Sequence, residues 1–134
     1  MSQLDPLVFR AIRCTLEIRR PTPGVVVLKF TGPDVGEFGE APFQELAYDL
    51  QRTSAIQLFV DAGDCSGASI DVSSDWARWM SSNRERIAAL HILCGSKFIQ
   101  LTADFVRRFT GFEERMRIYT ERGPFEMALR EQVG

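Results

Sequence analysis

Three cysteines and one histidine are the side chains with which this chain could do nucleophilic chemistry: Cys14, Cys65, Cys94 and His91. A thiol attacks as its thiolate, and it needs a base or a cation nearby to hold it in that form. No spacing sets His91 beside Cys65 or Cys94. The imidazole lies inside the run Leu90-His91-Ile92-Leu93, where a strand histidine more often packs or hydrogen-bonds. Cys14 and Cys94 fall in strand-like stretches too, and a buried thiol there behaves as a small apolar group. The carboxylate pairs Asp61 with Asp64, Asp71 with Asp75 and Glu113 with Glu114 are close in sequence. Hydrolytic carboxylate chemistry requires a defined separation across a cleft, which proximity in sequence does not supply.

The usual motifs are absent: there is no GxGxxG, no GxxxxGK[ST] and no GxSxG. One histidine and three scattered cysteines do not make a zinc ligand set. No complete catalytic or metal site is legible and no cofactor is implied, so the chain reads as one that works by binding. An enzyme using Cys65, Ser66 or His91 is the reading with the least support.

Composition narrows what is bound. The 134 residues suit one domain, with 45% hydrophobic and 25% charged side chains. Sixteen basic residues against eighteen acidic leave a formal charge of -2. That is a poor platform for a polyanion, so nucleic acid is not expected as a partner. The three cysteines form no CxxC pair, which favours a reducing compartment. No apolar run is long enough to span a membrane, and Asp5 and Pro6 stand where a signal peptide needs an apolar core. A cytoplasmic location is expected.

The positioning elements follow from periodicity. Residues 1–11 read as a lead-in, and 12–134 as the domain. Ile12, Cys14, Leu16 and Ile18 alternate with polar residues, the mark of a strand with one wet face. Pro21 to Gly24 reverse the chain into a second strand, Val25 to Phe30. Phe43, Leu46, Ala47 and Leu50 share one face of a first helix. Ile56 to Val60 make a strand buried on both faces. A second helix is expected with its stripe at Val72, Trp76, Trp79 or Met80, Asn83 and Ile87, with Asp71, Ser73 and Ser74 as candidate caps. Ala88 to Cys94 are a fourth strand. Ser96 caps a third helix that Gly111 ends, carrying Phe98, Leu101, Phe105 and Phe109, with Ile99 and Val106 widening the stripe. A short strand, Arg117 to Tyr119, precedes a last helix with Phe125, Ala128 and Leu129 inside. The order β-β-α-β-α-β-α-β-α gives an α/β fold with a mixed five-stranded sheet.

Open sheets of this kind place ligands beyond the carboxyl ends of their strands. Here that edge is the 61–75 loop, with Asp61, Asp64, Ser66, Ser69, Asp71, Ser73, Ser74 and Asp75, and behind it Trp76 and Trp79. Two indoles one turn apart could stack a flat ligand, or simply close the core. The width of the third helix's apolar face points to a partner surface, and homodimerisation is expected through the third or fourth helix.

The element order and this loop resemble a STAS domain, the SpoIIAA-like fold of bacterial anti-sigma-factor antagonists, and in particular its divergent branch grouped with SEC14-type lipid-binding domains. The resemblance covers about residues 12 to 132. It rests on Leu58-Phe59-Val60-Asp61, on Ile70-Asp71-Val72-Ser73-Ser74, and on the closing strand and helix from Ile118-Tyr119 to Leu129. It implies a non-catalytic regulatory module that binds a protein such as an anti-sigma factor or serine kinase, through the 61–75 loop and the second helix. It implies a phospho-acceptor at Ser73 or Ser74. Val72 intervenes before Ser73, and Asp75 stands where the family's pattern has glycine. The alternative reading is a domain that binds a lipid-like or aromatic small molecule near Trp76, Trp79 and the third helix.

Overall fold

Alternation in the first expected strand continues to Thr22, and the computed structural model, which describes residues 6–134, shows why. Strand β2 (Thr15–Thr22) turns Leu16 and Ile18 inward and Glu17 and Arg19 outward. It pairs antiparallel with β3 (Val25–Thr31) up to Thr22 opposite Val25. Only Pro23 and Gly24 are left for the turn. Proline presets φ at its first central position, and Gly24 supplies φ +85° at the second.

The sheet has six strands rather than the expected five. Leu7–Arg10, within the stretch read as a lead-in, form an edge strand β1 antiparallel to β2. Strand β2 begins later than the pattern suggested, at Thr15 and not at Ile12, so Ile12 does not join the buried row. It sits in the β1–β2 reversal, 95% exposed, where the Ala11 N–H donates to the Cys14 carbonyl at 2.9 Å.

The remaining strands, β4 (Ile56–Asp64), β5 (Ile87–Cys94) and β6 (Met116–Tyr119), join in parallel, and the spatial order is simply β1 to β6. Between them run α1 (Ala41–Arg52), α2 (Ile70–Ser82) and α3 (Lys97–Thr110); α4 (Arg122–Val133) follows β6. Right-handed crossovers along a sequential strand order must put α1, α2 and α3 on one face. The burial agrees. Leu46, Leu50, Ala77, Met80, Ile99 and Val106 share a core with Leu16, Leu28, Leu58 and Ile92. On the opposite face Val25, Val27, Phe59 and Leu93 form a smaller core under Phe125 of α4, with Ala128 and Leu129 packed against it as the pattern predicted.

Two helices are rotated from expectation. On α1, Ala47 faces solvent and Asp49 is buried instead, because Asp49 receives a bidentate pair of hydrogen bonds from Arg20 of β2 at 2.8 and 3.0 Å. On α3 the buried row is Ile99, Ala103, Val106 and Thr110, while Phe98, Leu101, Phe105 and Phe109 point outward. The small residues Ala103 and Thr110 let the helix lie close to the sheet, which large phenylalanines would prevent. The α3 ends are as read, with Ser96 accepting from the Ile99 N–H and Gly111 in the left-handed region. Helix α2 stops sooner than expected. Asn83 caps it, donating to the Trp79 carbonyl at 2.9 Å, and Ile87 already belongs to β5.

Candidate functional site

Parallel strands deliver the starts of α2 and α3 to the same sheet edge. Two further loops meet there: Asp34 N–H donates to the Gly67 carbonyl, and Ser69 N–H returns to the Asp34 carbonyl, at 2.9 and 3.0 Å. Beneath this junction a cavity of about 90 Å³ opens between α2, α3 and the sheet. Its walls are Val60, Ala62 and Ile92 from the strands, Val72, Trp76 and Met80 from α2, and Ile99, Ala103 and Val106 from α3. Its lining is apolar with a few polar groups, as in small-molecule sites, but at about 90 Å³ it is well below the roughly 300–1,000 Å³ of drug-sized pockets.

The polar groups on the wall are few. The Ser73 hydroxyl is committed, donating to the Ser69 carbonyl at 3.0 Å. The Cys65 thiol donates to the Gly67 carbonyl at 3.3 Å, and burial pushes its pKa up, so it is a thiol and not a thiolate. Asp34 is different. It is 7% exposed, one carboxylate oxygen accepts the Gly36 N–H at 3.1 Å, and the other accepts no hydrogen bond from the described residues but is not fully enclosed. Burial raises its pKa, against the lowering effect of the Gly36 N–H. Asp34 escaped the sequence reading because it lies in a Gly- and Pro-rich loop. Its signal is the Asp-x-Gly spacing of an Asx turn, Asp34-Val35-Gly36.

The structure divides the residues that sequence brought forward. Ser73 and Trp76 line the cavity. Trp76 packs on Phe43 with ring centroids 4.6 Å apart and meets Phe30 edge-on at 6.3 Å; Trp79 backs the same cluster, 6.1 Å from Phe43. Both indoles are therefore packed into the core face, with Trp76 alone reaching the cavity. Asp64, Ser66 and Asp71 are exposed at the edge. Asp75 pairs with Arg78 one turn on. The α2 cap is Ser69, whose hydroxyl accepts the Val72 N–H at 3.2 Å, in place of Asp71, Ser73 or Ser74. Asp61 is on the other face of the sheet. It is buried, accepts bonds from Arg122 of α4 at 2.8 and 3.2 Å, and also accepts the Gly63 N–H. It ties α4 to the end of β4.

His91 is also on that other face. Its ring stacks on Phe59 at 4.2 Å and 2°, and its Nδ1 is hydrogen-bonded to the Tyr119 hydroxyl at 2.8 Å. Cys65 and Cys94 belong to the core across the sheet, so neither can use His91 as a base. Burial pushes Cys94 up to about 11, and burial, with Asp34 adding to it, pushes Cys14 up to about 12. Among the described residues no three His, Cys, Asp or Glu side chains gather as a metal set. No helix among them is long and apolar enough to cross a membrane.

The His91 environment carries a pH prediction. Desolvation, and then Arg117, lower its pKa below the ordinary 6.5. The unfolded chain therefore binds the proton more readily, so stability is fully present above about pH 6.5 and is lost as pH falls toward the folded value. The melting temperature should drop between pH 7 and 5, and a His91→Gln variant should show a flatter slope. Equal slopes in the two proteins would show that His91 is not the group responsible.

No protein-family model matches the sequence, and no curated protein matches it. Among solved structures the chain is similar to the crystal structure of an uncharacterized protein of the DUF3478 family, with a SpoIIAA-like fold, from Shewanella loihica PV-4. The match has a TM-score of 0.59 at 14% sequence identity and covers 96% of this chain and 98% of that one. The chain thus has a SpoIIAA-like fold.

Proposed function

We propose that this domain is a non-catalytic regulatory module that recognises a protein partner across α3, the 61–75 loop and α2. The observation that carries this reading is the outward face of α3. Phe98 is 72% exposed, Leu101 65%, Phe105 38% and Phe109 53%. They recur at helical spacing and form one stripe. Single exposed apolar residues are ordinary, but a contiguous aromatic row of this kind marks an interaction surface. Ile70, 85% exposed at the start of α2, lies at the sheet edge where α3 also begins and extends the surface toward the loop. A regulatory protein such as an anti-sigma factor or serine kinase is the partner class that the STAS resemblance implies.

The phospho-acceptor is the finer part of this proposal. The Ser74 hydroxyl makes no hydrogen bond among the described residues, whereas the Ser73 hydroxyl must first leave the Ser69 carbonyl. A phosphate at Ser74 would add about -1.5 to -2 charges beside the contact surface.

The test is a tagged pull-down from the native cells with mass spectrometry of the bait and its companions, run beside a Phe98→Ser, Leu101→Ser double variant. A protein partner that co-purifies with the parent and falls by about tenfold with the variant, at unchanged melting temperature, supports the reading. Identical companions on both baits would remove α3 from the interface. A homodimer through α3 is the competing outcome, visible as doubled mass in light scattering that the same variant returns to the monomer.

The cavity favours a second reading, in which the domain binds a small apolar molecule under α2 and α3. Trp76 would then report on occupancy.

A further inference from the structure

The cavity has a charge requirement as well as a shape. Its lining includes no lysine, arginine or histidine, and its one ionisable oxygen without a partner belongs to Asp34. That oxygen is not fully enclosed, so a donor can reach it, and a charge-assisted hydrogen bond there is about twice as strong as a neutral one. The nearest charge on the same loop, Glu37, is also negative and adds to the field. Asp75, close by on α2, is already taken up by Arg78. Trp76 belongs to the same wall, and an indole face attracts cations.

We propose that this cavity binds a small primary amine, an alkylammonium whose short apolar body fills the space between α2 and α3 and whose charged end is held by the free oxygen of Asp34. This rests on the ligand-binding reading and names the chemistry of its ligand. Size restricts the body. A cavity of about 150 Å³ holds a benzene ring, and this one encloses about 90 Å³. A chain of about four carbons, straight or branched, therefore suits it better than an aromatic ring. Anions are excluded by the same charges that favour the amine.

Three probes of equal length separate the ideas: n-butylammonium, n-butanol and butyrate, each titrated into the whole protein while the Trp76 indole N–H is followed by NMR. The expected result is saturable binding of the amine, about tenfold tighter than butanol, with no binding of butyrate. Asp34→Asn keeps an acceptor for the Gly36 N–H, so the turn survives. It should reduce amine affinity by about tenfold and leave butanol within about twofold. Ala103→Leu, which fills the cavity from α3, should abolish both. Amine, alcohol and butyrate binding alike, or an Asp34→Asn variant that binds the amine as tightly as the parent, would overturn the role of Asp34 while leaving the cavity a binding site. No response at Trp76 to any probe, together with indifference to Ala103→Leu, would overturn the ligand-binding reading itself.

Discussion

A Phe59→Ala variant should lose about 3–5 kcal/mol of stability, the range for removing a fully buried phenylalanine. In a domain of this size that corresponds to a fall of roughly 10–20 °C in melting temperature. Phe59 is 0% exposed and sits at the middle of the smaller core. Its ring stacks on His91 and meets Phe125 edge-on at 5.9 Å. Besides Phe125, α4 is held by the Arg122–Asp61 pair, by the Gln57 amide donating to Gln132 at 2.6 Å, and by the half-buried Ala128 and Leu129. Glu121 at its start makes no side-chain cap, and Phe125 is its one buried residue. A helix of twelve residues is marginal without tertiary packing. The variant should therefore release α4 before the rest of the domain unfolds. Amide hydrogen exchange in 122–133 should rise toward the rates of an unstructured chain, while β4 and β5 stay protected. A loss under about 1 kcal/mol, or α4 exchange unchanged, would mean that the Asp61–Arg122 pair and not Phe59 anchors the helix.

How much of this was legible depended on which elements had one answer. Strand β2 keeps its alternation but runs Thr15–Thr22 in place of Ile12–Arg19, which narrows the turn to Pro23-Gly24. The Ser96 and Gly111 ends of α3 are dictated locally and appear where the residues placed them. The face of α3 was not, because apolar residues occupy two sides of it. Periodicity counts them equally, and only the sheet selects the row with Ala103 and Thr110 that permits close approach. Strand β4 poses the same difficulty. Buried on both sides, it offers no polar row, so nothing in Leu58-Phe59-Val60-Asp61 says that Asp61 turns toward α4 and away from the cavity. Strand β1 is four residues long with no alternation to mark it. Asp34 was hidden for another reason. Its burial comes from the bridge between its loop and Ala68, a contact between segments far apart in sequence. The carboxyl edge of β4 leading into Trp76, where the sequence reading sets its candidate site, follows from topology alone.

Gly95→Ala should be the most damaging single methyl at the functional edge. A Cβ at this position would overlap the carbonyl oxygen of Gly63, lie 2.7 Å from the Gly63 carbonyl carbon and stand 3.0 Å from the Ala62 carbonyl oxygen. Those are backbone atoms, so no rotamer change relieves the contact. The β4 and β5 ends would have to part, breaking the bond in which the Gly95 N–H donates to the Ala62 carbonyl at 3.2 Å. Overpacking typically costs about 1–3 kcal/mol, and a backbone-to-backbone overlap belongs at the upper end of that range, about 3 kcal/mol. The consequence for binding follows from position. Cys65 and Ala68, just beyond the displaced residues, line the cavity, and Ile99 enters it three residues after the Ser96 cap. Parting the strands should therefore widen the cavity mouth as well as lower the melting temperature, and the amides of 61–70 should shift in NMR. Gly67→Ala is the control, since a Cβ there meets nothing within 4 Å and its φ is ordinary, so it should stay within about 0.5 kcal/mol of the parent. Equal stability of the two variants would show that the strand ends yield without cost, and that the edge carrying the loop is softer than its close backbone packing implies.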